Sequence, residues 1–186
     1  MKRLFDLVLV VVLFVLLSMP MLFVSIAVIL SSSGRVLHWS DRVGTDNVVF
    51  KMPKFRSMRM ETPEVATHKI TNPSEFLTPI GSFLRRNSLD ELPQLFSIFK
   101  GDMSFVGPRP ALFNQYDLIA LRTECGLNSL VPGLTGWAQV NGRDELSTSE
   151  KVALDLEYTE RQSFWFDMKI LWLTCLQVIK KNGVSH

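Results

Sequence analysis

From Leu4 to Leu30 the chain carries one charge, Asp6, and is otherwise almost wholly apolar. At about 1.5 Å per residue this run would reach about 40 Å as a helix, more than a hydrocarbon core of about 30 Å requires. It is too long for a cleaved signal peptide, and no small-x-small cleavage pattern follows it. Residues 31–186 are polar enough to fold in water as one compact domain. The chain is therefore expected to work at a membrane surface, with most of its mass outside the lipid.

Pro20 interrupts the run. Proline has no N–H and clashes with the carbonyl four residues back, here Leu16, and in lipid a freed carbonyl needs another partner. Ser18 and Ser25 carry the only side-chain hydroxyls inside the run. Two readings stand: a kinked helix that spans the bilayer, and a helix–break–helix that enters and returns to the same face. Lys2 and Arg3 precede the run, and Arg35, Arg42, Lys51 and Lys54 follow it. Positive charge marks cytoplasmic ends, and here it flanks both.

The net charge of +2 gives no ground for bulk nucleic-acid binding. The cations cluster instead, at Lys51-Lys54-Arg56-Arg59, Arg85-Arg86 and Lys180-Lys181, as expected for anionic headgroups or phosphates. The two cysteines and three histidines have neither metal-ligand spacing nor a disulfide framework, which fits a reducing cytoplasm. The absence of Gly-x-Ser-x-Gly, Walker A and Gly-x-Gly-x-x-Gly motifs argues against serine hydrolases, nucleotide-triphosphate engines and dinucleotide oxidoreductases.

Local patterns predict an α/β domain, rich in helix, with a small sheet or hairpin. Residues 31–35 form a connector, and Val48 to Phe55 reads as a strand. Residues 61–75 read as a loop with one helical turn. Helices are expected over 76–86, 89–99, 111–124 and 147–162. Gly101 to Pro110 is turn-rich, and Asn141-Gly142 behind Trp137–Val140 signals a hairpin turn. Segment 164–181 is amphipathic. Asp167, Lys169, Thr174 and Gln177 share one side, Trp165, Leu171, Trp172 and Cys175 the other, and Phe166, Ile170 and Leu173 break the pattern. Its apolar side suits either the headgroup plane or the domain core.

Ser88-Leu89-Asp90-Glu91 opens a helix with adjacent carboxylates. It is a capping-box pattern, in which Glu91 would bond back to Ser88. With its surroundings it is also a place where ionised carboxylates at a helix mouth hold a divalent metal beside phosphate, or where an aspartate attacks phosphorus. Arg85 lies one turn upstream. Pro108 and Pro110 fix the backbone around Arg109, which suits phosphate recognition. Lys54 and Arg56 alternate, hence share a strand face. Arg143 follows the Asn-Gly turn, and Asp155 and Tyr158 sit one turn apart on the charged helix. Each also reads as ordinary surface.

Taken in order, Lys54-Phe55-Arg56-Ser57-Met58, the run Ser88 to Leu95, the run Lys100 to Pro110 and the run Pro132 to Arg143 resemble the monotopic phosphoglycosyl transferases, a family of bacterial sugar transferases. The resemblance covers nearly the whole chain, and its length is similar to that of the minimal members. It implies transfer of a sugar phosphate from a UDP-sugar to polyprenol (undecaprenyl) phosphate, with release of UMP. The expected setting is the cytoplasmic face of a bacterial inner membrane, where such transfer initiates polysaccharide and glycoconjugate assembly.

The resemblance also implies a re-entrant membrane helix over 1–30, broken at Pro20, and a catalytic domain over 31–186. Met19-Pro20 stands where the family commonly has Ser-Pro. Asp90 matches the nucleophile and the position that contacts Mg²⁺, and Glu91 completes the dyad. Arg109 matches a phosphate-binding arginine. Lys54, Arg56, Arg85, Arg143 and Asp155 fall in motifs around the substrate. Two other readings remain from the residues alone. One is a non-catalytic single-pass anchor with a basic phosphate-binding face, the other a membrane-attached metal-dependent phosphohydrolase.

Overall fold

The computed structural model of the chain describes residues 1–62, 73–142 and 145–180. Most of the loop expected over 61–75, and Arg143, lie outside them. The first element is helix α1 (Lys2–Ser31), which stays helical on both sides of Pro20. A single missing hydrogen bond is tolerated where neighbouring groups hold the helix. Ser18 Oγ donates to the Val15 carbonyl at 2.8 Å and Ser25 Oγ to Met21 at 2.7 Å, so neither serves the carbonyl of Leu16.

α1 lies along the domain, and one stripe of it is packed. Val10 and Val28 are fully buried, and Leu13, Phe14, Leu17, Met21 and Val24 continue the same face at helical spacing. The outer face stays apolar and exposed, with Val15, Leu16, Phe23 and Leu30 among its residues. Polar clamps hold both ends on the same domain. Lys2 Nζ meets Asp167 at 2.6 Å and donates to the Tyr158 hydroxyl at 2.9 Å. Arg3 donates to the carbonyls of Ile98 and Phe99. Buried Asp6 accepts from Ser104 Oγ at 2.8 Å and from the Phe105 N–H at 3.3 Å. At the far end, the Arg56 guanidinium donates to the carbonyls of Ser32 and Ser33.

Strands β1 (Leu37–Val43) and β2 (Val49–Phe55) form an antiparallel hairpin, pairing Ser40 with Met52. Asp46 and Asn47 take positive φ at its turn, a conformation Asx residues tolerate. The sequence pattern identified β2 but not β1. A short helix α2 (Gly81–Arg86) leads into a 3₁₀ helix (Leu89–Gln94) and then α3 (Leu95–Lys100). The helix expected over 89–99 is thus split, because Pro93 cannot donate to an α-helical bond. Likewise α2 begins only at Gly81, after Pro79, and α4 covers Tyr116–Glu124 rather than all of 111–124.

β3 (Ser104–Val106) pairs in parallel with β4 (Gly133–Thr135), a pairing that local pattern did not reveal. Trp137–Val140 is a helical turn, α5, and not the strand of a hairpin. α6 (Thr148–Arg161) and α7 (Phe164–Lys180) match the expected final helices. The main core joins Val10 of α1 to Met52, Ile98, Phe105, Tyr158 and Ile170.

α7 turns part of its polar side toward the domain and leaves its tryptophans outside. Phe166 and Ile170, which interrupt the sequence pattern, are its core anchors. Asp167, Thr174 and Gln177 turn inward too, bonding Tyr158, Thr135 and the Val140 carbonyl. Trp165 and Trp172 stay 79% and 65% exposed.

Candidate active site

The 3₁₀ helix Leu89–Gln94 lies against β2 and carries Asp90 and Glu91 at its start. Ser88 ahead of it is left-handed, with φ 53°, and its side chain makes no cap bond. Glu91 does not close a capping box. Its Oε1 instead accepts from Lys54 Nζ at 3.1 Å and from Arg109 Nη2 at 2.8 Å. The expected helix mouth is also corrected. Six residues of 3₁₀ helix offer little macrodipole, so the positive field here comes mainly from side chains.

Asp90 is buried, yet among the described residues its carboxylate takes part in no hydrogen bond or ion pair. Burial pushes its pKa above the ordinary aspartate value. Lys54 opposes that shift, Glu91 adds to it, and Arg85 and Arg109 oppose it. Burial likewise holds the Lys54 ammonium below its ordinary range, against the pull of Glu91 and with Arg109 pushing the same way as burial. One carboxylate is therefore neutralised by two cations, while its neighbour keeps its oxygens unspent in a positive surround.

Arg109 sits on a rigid loop. Gly107 N–H donates to Thr135 O and Gly133 N–H to Pro108 O, each at 2.9 Å. A Cβ on Gly107 would fall 2.4 Å from the Val131 carbonyl, so this approach of the two backbones excludes any side chain. Arg42 donates to the Pro110 carbonyl at 3.1 Å. Arg122 Nη1 donates to the Arg109 carbonyl at 2.8 Å. Arg122 is in turn held by Asp155, whose Oδ2 accepts from Nε at 3.0 Å and Nη2 at 2.7 Å. Burial pushes the Asp155 carboxyl up, and Arg122 pulls it back.

The sequence-predicted residues thus separate. Lys54, Asp90, Glu91 and Arg109 converge. Arg85 contributes to the field at Asp90 while bonding Ser57 Oγ and the Met58 sulfur. Arg56 departs from the expectation. It lies just past the end of β2, is 4% exposed, and ties down the end of α1 instead of joining Lys54. Asp155 acts one step back, through Arg122. Sequence reasoning missed Arg122, because a lone arginine in a short helix carries no motif. The only signal was its place on the helix that precedes the Pro132-Gly133 turn.

Together the four convergent side chains suit a diphosphate: two cations to bind it and one aspartate free to react or to hold a cation. Mg²⁺ keeps several non-protein ligands and needs only one or two carboxylates, so the Asp90 oxygens fit it, with phosphate oxygens completing the shell. No group of three or more metal-ligating side chains occurs among the described residues.

A model of the bacterial sugar transferase family matches residues 1–181. The chain belongs to that family. It is 42% identical over 181 residues to the UDP-glucose:undecaprenyl-phosphate glucose-1-phosphate transferase of Escherichia coli K12, covering 93% of this chain and 39% of that protein. It is 40% identical over 184 residues to an undecaprenyl-phosphate glucose phosphotransferase of Komagataeibacter xylinus, covering 93% of this chain and 35% of that protein. The chain therefore spans less than half the length of these two relatives. An uncharacterized sugar transferase of Bacillus subtilis, EpsL, is 40% identical over 188 residues, covering 100% of this chain and 90% of that protein. Family membership accounts for the long ordered motifs, and the dyad lies within the matched region.

Proposed function

We propose that this chain transfers a sugar phosphate from a UDP-sugar to polyprenol phosphate, releasing UMP, in two steps through Asp90. The observation that carries the reading is the division of labour in the dyad. Glu91 is engaged by Lys54 and Arg109, and Asp90 is buried beside the same cations without a bonded partner among the described residues. The names of the relatives supply the substrate classes.

In the first step an Asp90 oxygen attacks the β-phosphorus of the UDP-sugar. The bond from that phosphorus to the bridging oxygen breaks, and UMP leaves with the electron pair. In the second step an oxygen of the polyprenol phosphate attacks the same phosphorus, and Asp90 leaves as carboxylate. Lys54, Arg85 and Arg109 stabilise charge on the phosphates, and the fixed loop positions Arg109 so that little reorganisation is needed. Glu91 holds Lys54 and Arg109 in register. Mg²⁺, held by Asp90, would neutralise charge on the diphosphate and the departing UMP.

The setting we propose is the cytoplasmic face of the inner membrane, with α1 re-entrant. A helix that spanned would deliver its two ends to opposite faces. Lys2 at one end and Ser32–Ser33 beyond the other are clamped to one domain, and that favours a single face. Trp165 and Trp172 suit the headgroup level.

Incubation with a UDP-sugar and Mg²⁺, without acceptor, should add one sugar phosphate to the intact mass. Turnover without any adduct would instead mean direct transfer. A panel of UDP-sugars scored by UMP release identifies the donor.

A further inference from the structure

β2 ends at Phe55, and the residues just past it bond in two directions. Arg56 turns to the serines beyond α1. Ser57 and Met58 meet Arg85, whose Nε donates to Ser57 Oγ at 3.1 Å and whose Nη2 donates to the Met58 sulfur at 2.9 Å. Arg85 lies in the last turn of α2, and its carbonyl accepts from the Ser88 N–H at 3.1 Å. Ser88 is the left-handed residue that opens the 3₁₀ helix of Asp90 and Glu91. Lys54 comes shortly before Ser57, on β2. The bonds from Arg85 therefore tie the strand that carries Lys54 to the turn that carries the dyad.

The acceptors are themselves fixed. Ser57 is buried, and its carbonyl accepts from the Thr78 N–H at 3.0 Å and the Thr78 hydroxyl at 3.3 Å. A Cβ on Gly81 would fall 2.0 Å from that carbonyl, so the start of α2 packs directly against it. Met58 bridges to Leu77, and the Arg59 N–H donates to the Phe76 carbonyl at 2.7 Å. A guanidinium keeps its geometry best on partners that do not move, because fewer rotamers compete with the bonded one. Both acceptors are also neutral, so these bonds orient Arg85 without cancelling its charge. That charge bears on Asp90: burial raises the Asp90 pKa, and Arg85 is among the cations that pull it back.

We propose that Ser57, seconded by Met58, is a positioning residue of the transfer site, aiming the Arg85 guanidinium at the diphosphate. The inference rests on the proposed transfer and deepens it, since it adds residues that act through Arg85. A hydroxyl supplies the stronger of the two bonds and a thioether the weaker.

Magnesium pyrophosphate is the probe, titrated calorimetrically into full-length protein in lipid nanodiscs, with UMP release measured alongside. Ser57→Ala should weaken pyrophosphate binding about fivefold, and Met58→Leu about threefold. In an Arg85→Met background the same changes should shift it by less than about 1.5-fold, because the guanidinium they aim is gone. The kcat/KM for UMP release should follow the same pattern. A serine that acted only through the fold would carry its full effect into the Arg85→Met background, and that result overturns the proposal. So does wild-type affinity in both single variants. The two readings fail separately. Normal UMP release by the wild type with additive losses sinks the positioning role alone. Coupled losses in pyrophosphate binding, with no UMP release from any UDP-sugar, uphold the hold on Arg85 and sink the reaction.

Discussion

Two segments of this chain share the pattern Ser-x-x-Glu and end differently. Ser147-Thr148-Ser149-Glu150 closes a capping box at the start of α6. The Glu150 carboxylate accepts from the Ser147 N–H at 2.8 Å, and Ser147 Oγ accepts from the Glu150 N–H at 3.3 Å. Ser88-Leu89-Asp90-Glu91 forms no such box. Ser88 is left-handed, and Glu91 reaches across to Lys54 and Arg109. Glu150 lies in water, where a local bond to its own helix start is the best partner on offer. Glu91 lies over a strand that brings a half-buried lysine beside it, and charge-assisted bonds in that drier place are stronger than a cap. A cap motif is therefore a default that nearby tertiary charge can override.

The sharpest way to break this comparison is at its chemistry. Asp90→Asn should lower UMP release by at least about a thousandfold, because the amide cannot serve as nucleophile. Glu150→Gln should leave turnover within about twofold, as expected for a surface site. Similar rates in the two variants would erase the distinction between the segments. Glu91→Gln comes next. It removes the counter-charge of Lys54 and Arg109, and kcat/KM should fall by about a hundredfold. A capping role alone would leave kcat/KM almost untouched and lower only the thermal midpoint.

Smaller effects sharpen the supporting structure. Arg122→Met should cost about tenfold in kcat/KM through the Arg109 loop. It should also cost about 3 kcal/mol of stability by leaving Asp155 buried without its partner. Asp155→Asn should do much the same, and the double variant should be less impaired than the product of the singles. Additive losses, measured by steady-state kinetics and denaturant unfolding, would show that the two residues do not act as a unit. Ser147→Ala should cost about 1 kcal/mol with turnover unchanged.

The last effect is a pH dependence. Bonds from Ser147 hold the Glu150 pKa below its ordinary value. Its folded-state pKa is thus depressed, so its contribution is present above the unfolded pKa and is lost as pH falls through the folded one. The thermal midpoints of wild type and Glu150→Gln should differ near neutral pH, and the difference should shrink as pH falls below the ordinary carboxylate range. A difference that stays constant on acidification would mean the box does not depend on the charge.

Much of the candidate site was legible in order along the chain, because its motifs are long and each carries a residue whose chemistry suggests phosphate. Asp90, Glu91, Lys54 and Arg109 were all legible this way. The unread parts depend on contacts between distant segments. Lys54 and Arg56 alternate on paper, yet Arg56 follows the strand's end and turns to the two serines beyond α1. Arg122 has no neighbours in sequence that mark it, and its importance arises only when α4, α6 and the Arg109 loop meet. The parallel pair β3–β4 joins segments of three residues each, too short for periodicity to signal.

By itself the sequence determined that one long apolar helix opens the chain, that a charged helix and an amphipathic one end it, and that an acidic pair lies among fixed cations. These follow from composition and spacing, which act over a few residues. Only the tertiary structure decided that both ends of the first helix return to one domain, which face of α7 turns outward, and which carboxylate is neutralised and which is left unspent. Those outcomes depend on burial and on charges brought together from remote parts of the chain, and no local pattern encodes either.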